Sequence, residues 1–287
     1  MTQNLQSLKD WIGKSEWSVD HVTIPLVHRL AATLDRDDPM PKHGDVLPYG
    51  WHLMLFPRVA RHSQLGADGH PERGDFLPPV PLPRRMFAGR RITFHDDLRV
   101  GDEVRRDAVI KDVVIKQGRT GEMVFVTLRV DLSTTRGLSL TEEHDVVYRA
   151  EPSLGKPAGT PPAPPQPAPG TAVWSKATTP DSVMLFRISA LCFNGHRIHV
   201  DHPYVTQVEG YPDLVVPGSL HTLLMFELAR ARINAKFKSI AWRNVRPLFV
   251  NRQLTACGEP SADGKSAKLW VMDNEGALSL SATAEFK

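Results

Sequence analysis

Cysteine is nearly missing from this chain. Only Cys192 and Cys257 occur, with no CxxC pair, so neither a disulfide framework nor a cysteine-based zinc site is expected, and a reducing compartment fits. Long apolar runs are missing too. No stretch reaches the roughly 20 residues needed to cross a bilayer. The opening MTQNLQSLKDWIGKSEW lacks the basic start, apolar middle and small-residue cleavage site of a secretion signal. A cytoplasmic location without a membrane partner is therefore expected. An excess of one charge is absent as well: 35 basic against 32 acidic residues leave a net +3, which argues against nucleic acid as a partner. Neither GxGxxG nor GxxxxGK[ST] occurs, so no dinucleotide cofactor and no nucleotide hydrolysis is expected. With 41% hydrophobic and 23% charged residues, the chain falls in the ordinary globular range.

What is abundant is proline in one place. The stretch EPSLGKPAGTPPAPPQPAPG fixes backbone angles and removes donors, so neither helix nor sheet is expected there. We read residues 151–172 as a linker between an N-terminal unit, 1–150, and a C-terminal unit, 173–287. Both units carry the same order of signals. In the first, Ile24, Val27, Leu30, Ala31 and Leu34 recur at helical spacing after a Thr23–Pro25 start, and three long alternating segments follow. In the second, Leu220, Leu223, Leu224, Leu228 and Ala231 form a stripe after Gly218, and four alternating segments follow.

Two short matches keep their order in both units. RRITFHDDLRVGDEV resembles KSIAWRNVRPLFVNRQL, and RGLSLTEEHDVVY resembles EGALSLSATAEFK. An antiparallel sheet must cover one face, and a long helix lying across a curved sheet does so. The expected class is α+β, a tandem (double) hot-dog, each half a curved antiparallel sheet wrapped around a long helix, with the two sheets able to pair edge to edge.

Chemistry concentrates in one segment of the second unit, where Asn194, His196, His199, Asp201 and His202 crowd together between two apolar helical segments. A solvated, capped loop would also account for this. Metal binding is disfavoured, because no cysteine or carboxylate cluster completes a ligand set, and no metal is expected. The segment Asn194-Gly195-His196-Arg197-Ile198-His199-Val200-Asp201 resembles the signature of the MaoC-like, R-specific enoyl-CoA hydratases, with His199 on the catalytic histidine and Gly218 on the helix-opening glycine. Asn194 stands where that family usually has an aspartate. The FNGHRIH form, with AATLDRDDP, DGHPERGDFLPPVPLPRRMFAG and VGDEV earlier in the chain, is similar to the branch of 3-hydroxyacyl thioester dehydratases type 2 and mesaconyl-C4-CoA (3-methylfumaryl-CoA) hydratases.

The resemblance implies a hydro-lyase adding water to an enoyl-CoA thioester. Its only partner would be that acyl-CoA substrate, apart from a possible second copy of the chain, and coenzyme A would enter as part of the substrate rather than as a cofactor. Hydration needs a base for the water proton and donors for the charge growing on the thioester oxygen. His199 is the expected base and acid, and the Gly218 N–H, at a helix start, the expected donor. An amide cannot act as base, so Asn194 would orient water through its carbonyl oxygen. His196 and Asp201 are candidates for supporting roles.

A dicarboxylic acyl group would need a fixed cation. Arg84 and Arg85 in PLPRRMFAG are the preferred pair, with Arg197 and Arg187 flanking the motif; Arg243 and Arg246 are candidates for the coenzyme A phosphates. In the first unit the same alignment sets Asp35 against Asn194, Gly50 against Gly218 and Met40 against His199, which implies a degenerate copy completing the substrate tunnel. Competing readings are hydration of itaconyl-CoA, dehydration of fatty 3-hydroxyacyl thioesters, and a non-catalytic acyl-thioester binding module. A thioesterase is disfavoured, because Glu227, the one acid in the core of the long helix, reads as a polar-face residue.

Overall fold

The computed structural model describes residues 5–72, 76–82, 84–118, 121–149 and 165–287. Most of the expected linker therefore lies outside the described residues. Where the chain is described again it runs beside the last strand: the Leu278 N–H donates to Gln166 O at 2.8 Å.

The described strands are β1 (Ser15–His21), β2 (Arg84–Phe94), β3 (Glu103–Gly118), β4 (Gly121–Thr134), β5 (Gly137–Arg149), β6 (Trp174–Thr178), β7 (Phe237–Asn244), β8 (Leu254–Pro260), β9 (Ser266–Met272) and β10 (Leu278–Phe286). They form one antiparallel sheet in the order β1-β3-β4-β5-β2-β7-β10-β9-β8-β6. The halves meet where β2 pairs with β7, and Ile92 faces Ile240 with Gly89 opposite Arg243 and Thr93 opposite Ser239. In the internal match, Ile92 of RRITF is the equivalent of Ile240 of KSIAW. Each is thus paired with its own counterpart, the mark of a local two-fold axis inside one chain. The second match shows the same kinship: Ser139 O accepts from the N–H groups of His95 and Asp96, and Ser279 O from those of Val245 and Arg246. β1 and β6 are not legible in the sequence. Both are outermost strands with no buried residue, so neither leaves an apolar alternation to read.

Helix α1 (Ile24–Thr33) starts where its signals place it, with Thr23 Oγ1 accepting from the Leu26 N–H at 3.3 Å. Helix α2 (Ser182–Leu191) packs against it across the halves. Helix α4 (Gly218–Arg232) follows the short α3 (His202–Gln207) and is buried without a break from Leu220 to Ala229. This is why its sequence lacks a clean polar face. It lies against β6, β8 and β9, the expected central helix of a hot-dog.

The first half departs from the expectation of a long helix in each half. At the matching place it has only a 3-10 turn, Trp51–Met54. Pro57 comes too soon after Gly50 for a longer helix. Gly50 itself sits at φ 87°, and a Cβ there would fall 2.5 Å from the Phe226 ring of α4, so the second half's helix fills that space. Residues of β3–β5 and of the 52–60 segment line a cavity of about 1300 Å³. Among the described residues no helix is long and apolar enough to cross a membrane.

Candidate active site

Local backbone geometry builds the site. Asp181 Oδ1 caps α2 by accepting from the Met184 N–H at 2.8 Å. The helix stops at Cys192, and Phe193 turns the chain with φ 50°. Asn194 follows, its N–H on Ser189 O at 2.7 Å. Its Oδ1 accepts the His196 N–H at 3.0 Å, so the oxygen assigned above to a water already holds the backbone turn. Among the described residues its Nδ2 makes no hydrogen bond, and that group is the one left to donate.

His199 is 7% exposed, and its Nδ1 lies 2.7 Å from Val215 O. A carbonyl can only accept, so Nδ1 carries the hydrogen and Nε2 holds a lone pair. Burial pushes the imidazole down to about 4, against the opposing pull of the Val215 carbonyl and aided by nearby His70. His199 is therefore a neutral, oriented imidazole at neutral pH. Its anchor, Val215, lies two residues before Pro217 and three before Gly218, where α4 begins with no side-chain cap. The amides of that first turn lack intrahelical partners.

His196 stands edge-on to His199, ring centroids 5.4 Å apart, and stacks on His70 from the first half at 4.1 Å. Burial, with the charges of His70 and His199, pushes His196 down to about 3. His196 and His70 line the large cavity and His199 stands one ring behind them. Asp68, His70 and His196 bring one donor atom each within 4.8 Å of one another. Asp68 Oδ2 is already paired with His70 Nδ1 at 3.2 Å, and among the described residues no fourth donor joins the three. We read the group as hydrogen-bonded rather than metal-binding.

The expected basic residues separate. Arg85 lines the cavity with Arg58, Arg90 and Arg106. Arg90 is 3.1 Å from Glu142 and Arg106 3.0 Å from Glu16. Arg85 and Arg58 have no ion-pair partner among the described residues, and burial together with the Arg85 charge lowers the Arg58 pKa. The side chain of Arg84 lies outside the described residues. Arg197 is not offered to a substrate. Its guanidinium is spent on Asp201 Oδ2 at 2.9 and 2.8 Å and on Ala67 O at 2.9 Å, with its face on the Tyr204 ring. Asp201 is correspondingly a structural residue, which also caps α3 through the Tyr204 N–H at 3.1 Å. Arg187 and Arg243 are exposed, and Arg246 leans on Asp273 at 3.3 Å.

Two further expectations change. Glu227 is buried rather than polar-facing, and it accepts from Trp51 Nε1 at 3.0 Å, Arg230 Nη2 at 3.0 Å and Arg36 Nη1. The first-half alignment shifts by one. Arg36 N bonds Ala31 O as Asn194 N bonds Ser189 O, and Trp51 N bonds Pro48 O as Leu220 N bonds Pro217 O. Arg36 is thus the counterpart of Asn194 and Tyr49 that of Gly218. Exposed Asp35 and Met40 build no second site.

Residues 50–250 match the family model for hydroxyacyl-thioester dehydratase type 2. The chain belongs to that family. This type 2 dehydratase relative is 42% identical over 275 residues to the mesaconyl-C4-CoA hydratase of Chloroflexus aurantiacus, covering 96% of each chain. To the mitochondrial hydroxyacyl-thioester dehydratase type 2 of Schizosaccharomyces pombe it is 26% identical, covering 77% of this chain and 79% of the relative. In fold it is similar to a MaoC-like dehydratase from Phytophthora capsici, with TM-score 0.71, 9% identity and coverage of 99% and 98%. A Mycobacterium tuberculosis protein with a double hotdog fold gives TM-score 0.54 at 13% identity, covering 98% and 97%. The family member is a double hot-dog hydro-lyase of acyl thioesters.

Four residues of this region were not singled out in the sequence: Arg58, Asp68, His70 and His221. Asp68 and His70 were visible only as part of the DGHP phrase. His221 is buried on α4, its Nε2 3.4 Å from Asn244 Oδ1.

Proposed function

We propose that the chain hydrates a short dicarboxylic enoyl-CoA of the mesaconyl-C4-CoA kind, giving a citramalyl-type (β-methylmalyl-type) hydroxyacyl-CoA, with His199 as general base and, in reverse, general acid. The observation that carries this is the His199 geometry: Nδ1–H tied to Val215 O, the ring neutral, Nε2 the remaining nitrogen. Nε2 takes a proton from water as the oxygen bonds the β carbon. The alkene electron pair moves into the thioester carbonyl, whose oxygen the Gly218 N–H holds at the start of α4. The α carbon then takes up a proton. Asn194 assists through its Nδ2. Addition of water changes no oxidation state overall and needs no electron carrier, so we propose coenzyme A only as part of the substrate.

Arg85 and Arg58 support the dicarboxylic reading, because they are cations facing the cavity with no ion pair among the described residues, Arg58 feeling Glu16 only at a distance. Arginine's two-pronged donor set suits a free carboxylate. The cavity, with Leu128, Val130 and Leu132 in its wall, favours a second reading, dehydration of longer 3-hydroxyacyl thioesters.

A thioester panel of mesaconyl-C4-CoA, itaconyl-CoA, crotonyl-CoA and longer enoyl-CoAs, followed by mass for the gain of one water, separates these readings. We expect mesaconyl-C4-CoA to be preferred and His199→Ala to lower its turnover by about 100-fold or more. His199→Ala within a few-fold of wild type would remove the base assignment. Arg85→Gln should weaken the dicarboxylic substrate far more than crotonyl-CoA, and equal losses would remove the clamp.

A further inference from the structure

Hydration moves two protons, one off water and one onto carbon. In this site the residue that would share that work as a carboxylate is Asn194, which holds a backbone N–H instead. The missing proton carrier has a candidate on the other half of the molecule. His70 N donates to Asp68 Oδ1 at 3.0 Å and the His70 ring pairs through Nδ1 with Asp68 Oδ2 at 3.2 Å. A carboxylate accepts, so Nδ1 bears hydrogen and Nε2 becomes the working nitrogen. His70 lines the cavity, as does His196, against which it stacks at 4.1 Å. His199 is close enough that charge on His70 is felt there.

The loop carrying this pair is built against the motif itself. Arg197 N donates to Asp68 O at 2.9 Å, and Arg197 Nη1 reaches Ala67 O at 2.9 Å. Gly69 and Gly195 let the two backbones touch: a Cβ on Gly69 would stand 2.1 Å from Gly195 O. Such close joining of a first-half loop to the second-half motif has no use if the first half only walls the tunnel.

We propose that His70, held by Asp68, is a catalytic residue: the proton donor to the α carbon, taking the place of the carboxylate that Asn194 cannot provide. This rests on the hydration reading above. As Nε2 of His199 takes the water proton and the oxygen bonds the β carbon, the electron pair held on the thioester returns to the α carbon. There it forms a bond with the proton leaving Nε2 of His70, which enters the step as the imidazolium, with Nδ1–H held by Asp68 and Nε2–H free to leave, and ends as the neutral ring. His199 ends one proton richer and His70 one poorer, and exchange with solvent restores both. His70 is in contact with Asp68 on its own loop and His196 from the motif, its charge is felt at His199, and Glu72, Arg85 and Arg58 share the cavity with it. Asp68 is positioning, since it acts only through the ring.

The test uses the full chain and mesaconyl-C4-CoA. His70→Asn keeps a donor for Asp68 but removes the titrating ring. It should lower kcat by about 100-fold or more with KM little changed, abolish the alkaline fall of the kcat profile, and respond to added imidazole when paired with His70→Gly. Asp68→Asn should lose less, and keep the alkaline fall at a displaced pH. Wild-type turnover with His70→Asn within threefold and an unchanged profile overturns the proposal while leaving His199 in place. Absence of turnover in the wild type on the whole panel overturns the hydration reading itself. Loss of wild-type activity to a chelator, restored by a divalent cation, also overturns the proton-donor role.

Discussion

Glu227 offers a measurable consequence of how the halves are joined. Its carboxylate, 8% exposed, is shared by Arg36, Trp51 and Arg230, the first two from the N-terminal half. Replacing it with leucine keeps the volume and leaves the Arg36 guanidinium, itself 12% exposed, short of one anion. Breaking a buried pair from one side costs about 3–5 kcal/mol, and orphaning the Trp51 N–H about 1–3 kcal/mol. Arg36 retains Asp38, with Nη2 to Oδ1 at 2.7 Å, so we take about 3–5 kcal/mol for the sum. A chain of 287 residues has an unfolding entropy near 0.6 kcal/mol/K, so Tm should drop about 5–8 °C. Glu227→Gln, which can still accept from Trp51, should lose roughly half as much. The double variant Arg36→Met/Glu227→Leu should recover much of the loss, because a buried pair replaced by apolar groups is close to neutral. Thermal unfolding followed by circular dichroism reads all three. A drop below 2 °C for Glu227→Leu, or additive losses in the double variant, would refute the view that this cluster clamps the halves.

Three further outcomes are expected. Gly69→Ala should prise the 66–70 loop from the motif and depress both kcat and Tm. Gly264→Ala, with φ 69° and open space around it, should lose only about 1–2 kcal/mol of backbone strain and no activity; equal behaviour of the two would refute the close-contact argument. Because burial holds His199 near 4, kcat/KM should show no acid limb between pH 7 and about 5, whereas an acid limb near 6.5 would show the base is elsewhere. Burial likewise lowers His52, His144, His196, His199 and His221 to about 4, 3, 3, 4 and 4. Their folded values lie below the unfolded one, so their contribution is complete above pH 6.5 and drains as pH falls towards 4. The loss is about 1.4 kcal/mol per pH unit for each proton taken up by the unfolded chain. Denaturant titrations at pH 7, 6 and 5 measure it, and constant stability across them contradicts the burial assignment.

Much of the scaffold is local and therefore readable. Alternation marked β4, β5 and β10 because each has one face on the core and the other outward. Thr23 with Pro25 marked the start of α1 because capping is a property of four adjacent residues. The crowd of Asn194, His196 and His199 stood out for the same reason, being contiguous. The off-by-one placing of Asp35 against Asn194 arose where composition carries no register; only the paired hydrogen bonds after α1 and α2 set it. Arg197 reads as a free cation in sequence because only the fold turns it onto Asp201, four residues on, and adds Ala67 O, a backbone acceptor far along the chain.

By itself the sequence determined the class, the two-fold repetition and the segment that holds the candidate site, since these follow from periodicity, turn residues and a contiguous motif. Tertiary structure alone decided which nitrogen of His199 keeps its lone pair, because that depends on Val215 O lying beside it. It also decided that α4 of one half fills the place of a helix the other half lacks, that Glu227 is buried between them, and that Asp68 and His70 meet the motif. Each of these is a contact between segments far apart in the chain, set by how the two halves join into one sheet through β2 and β7.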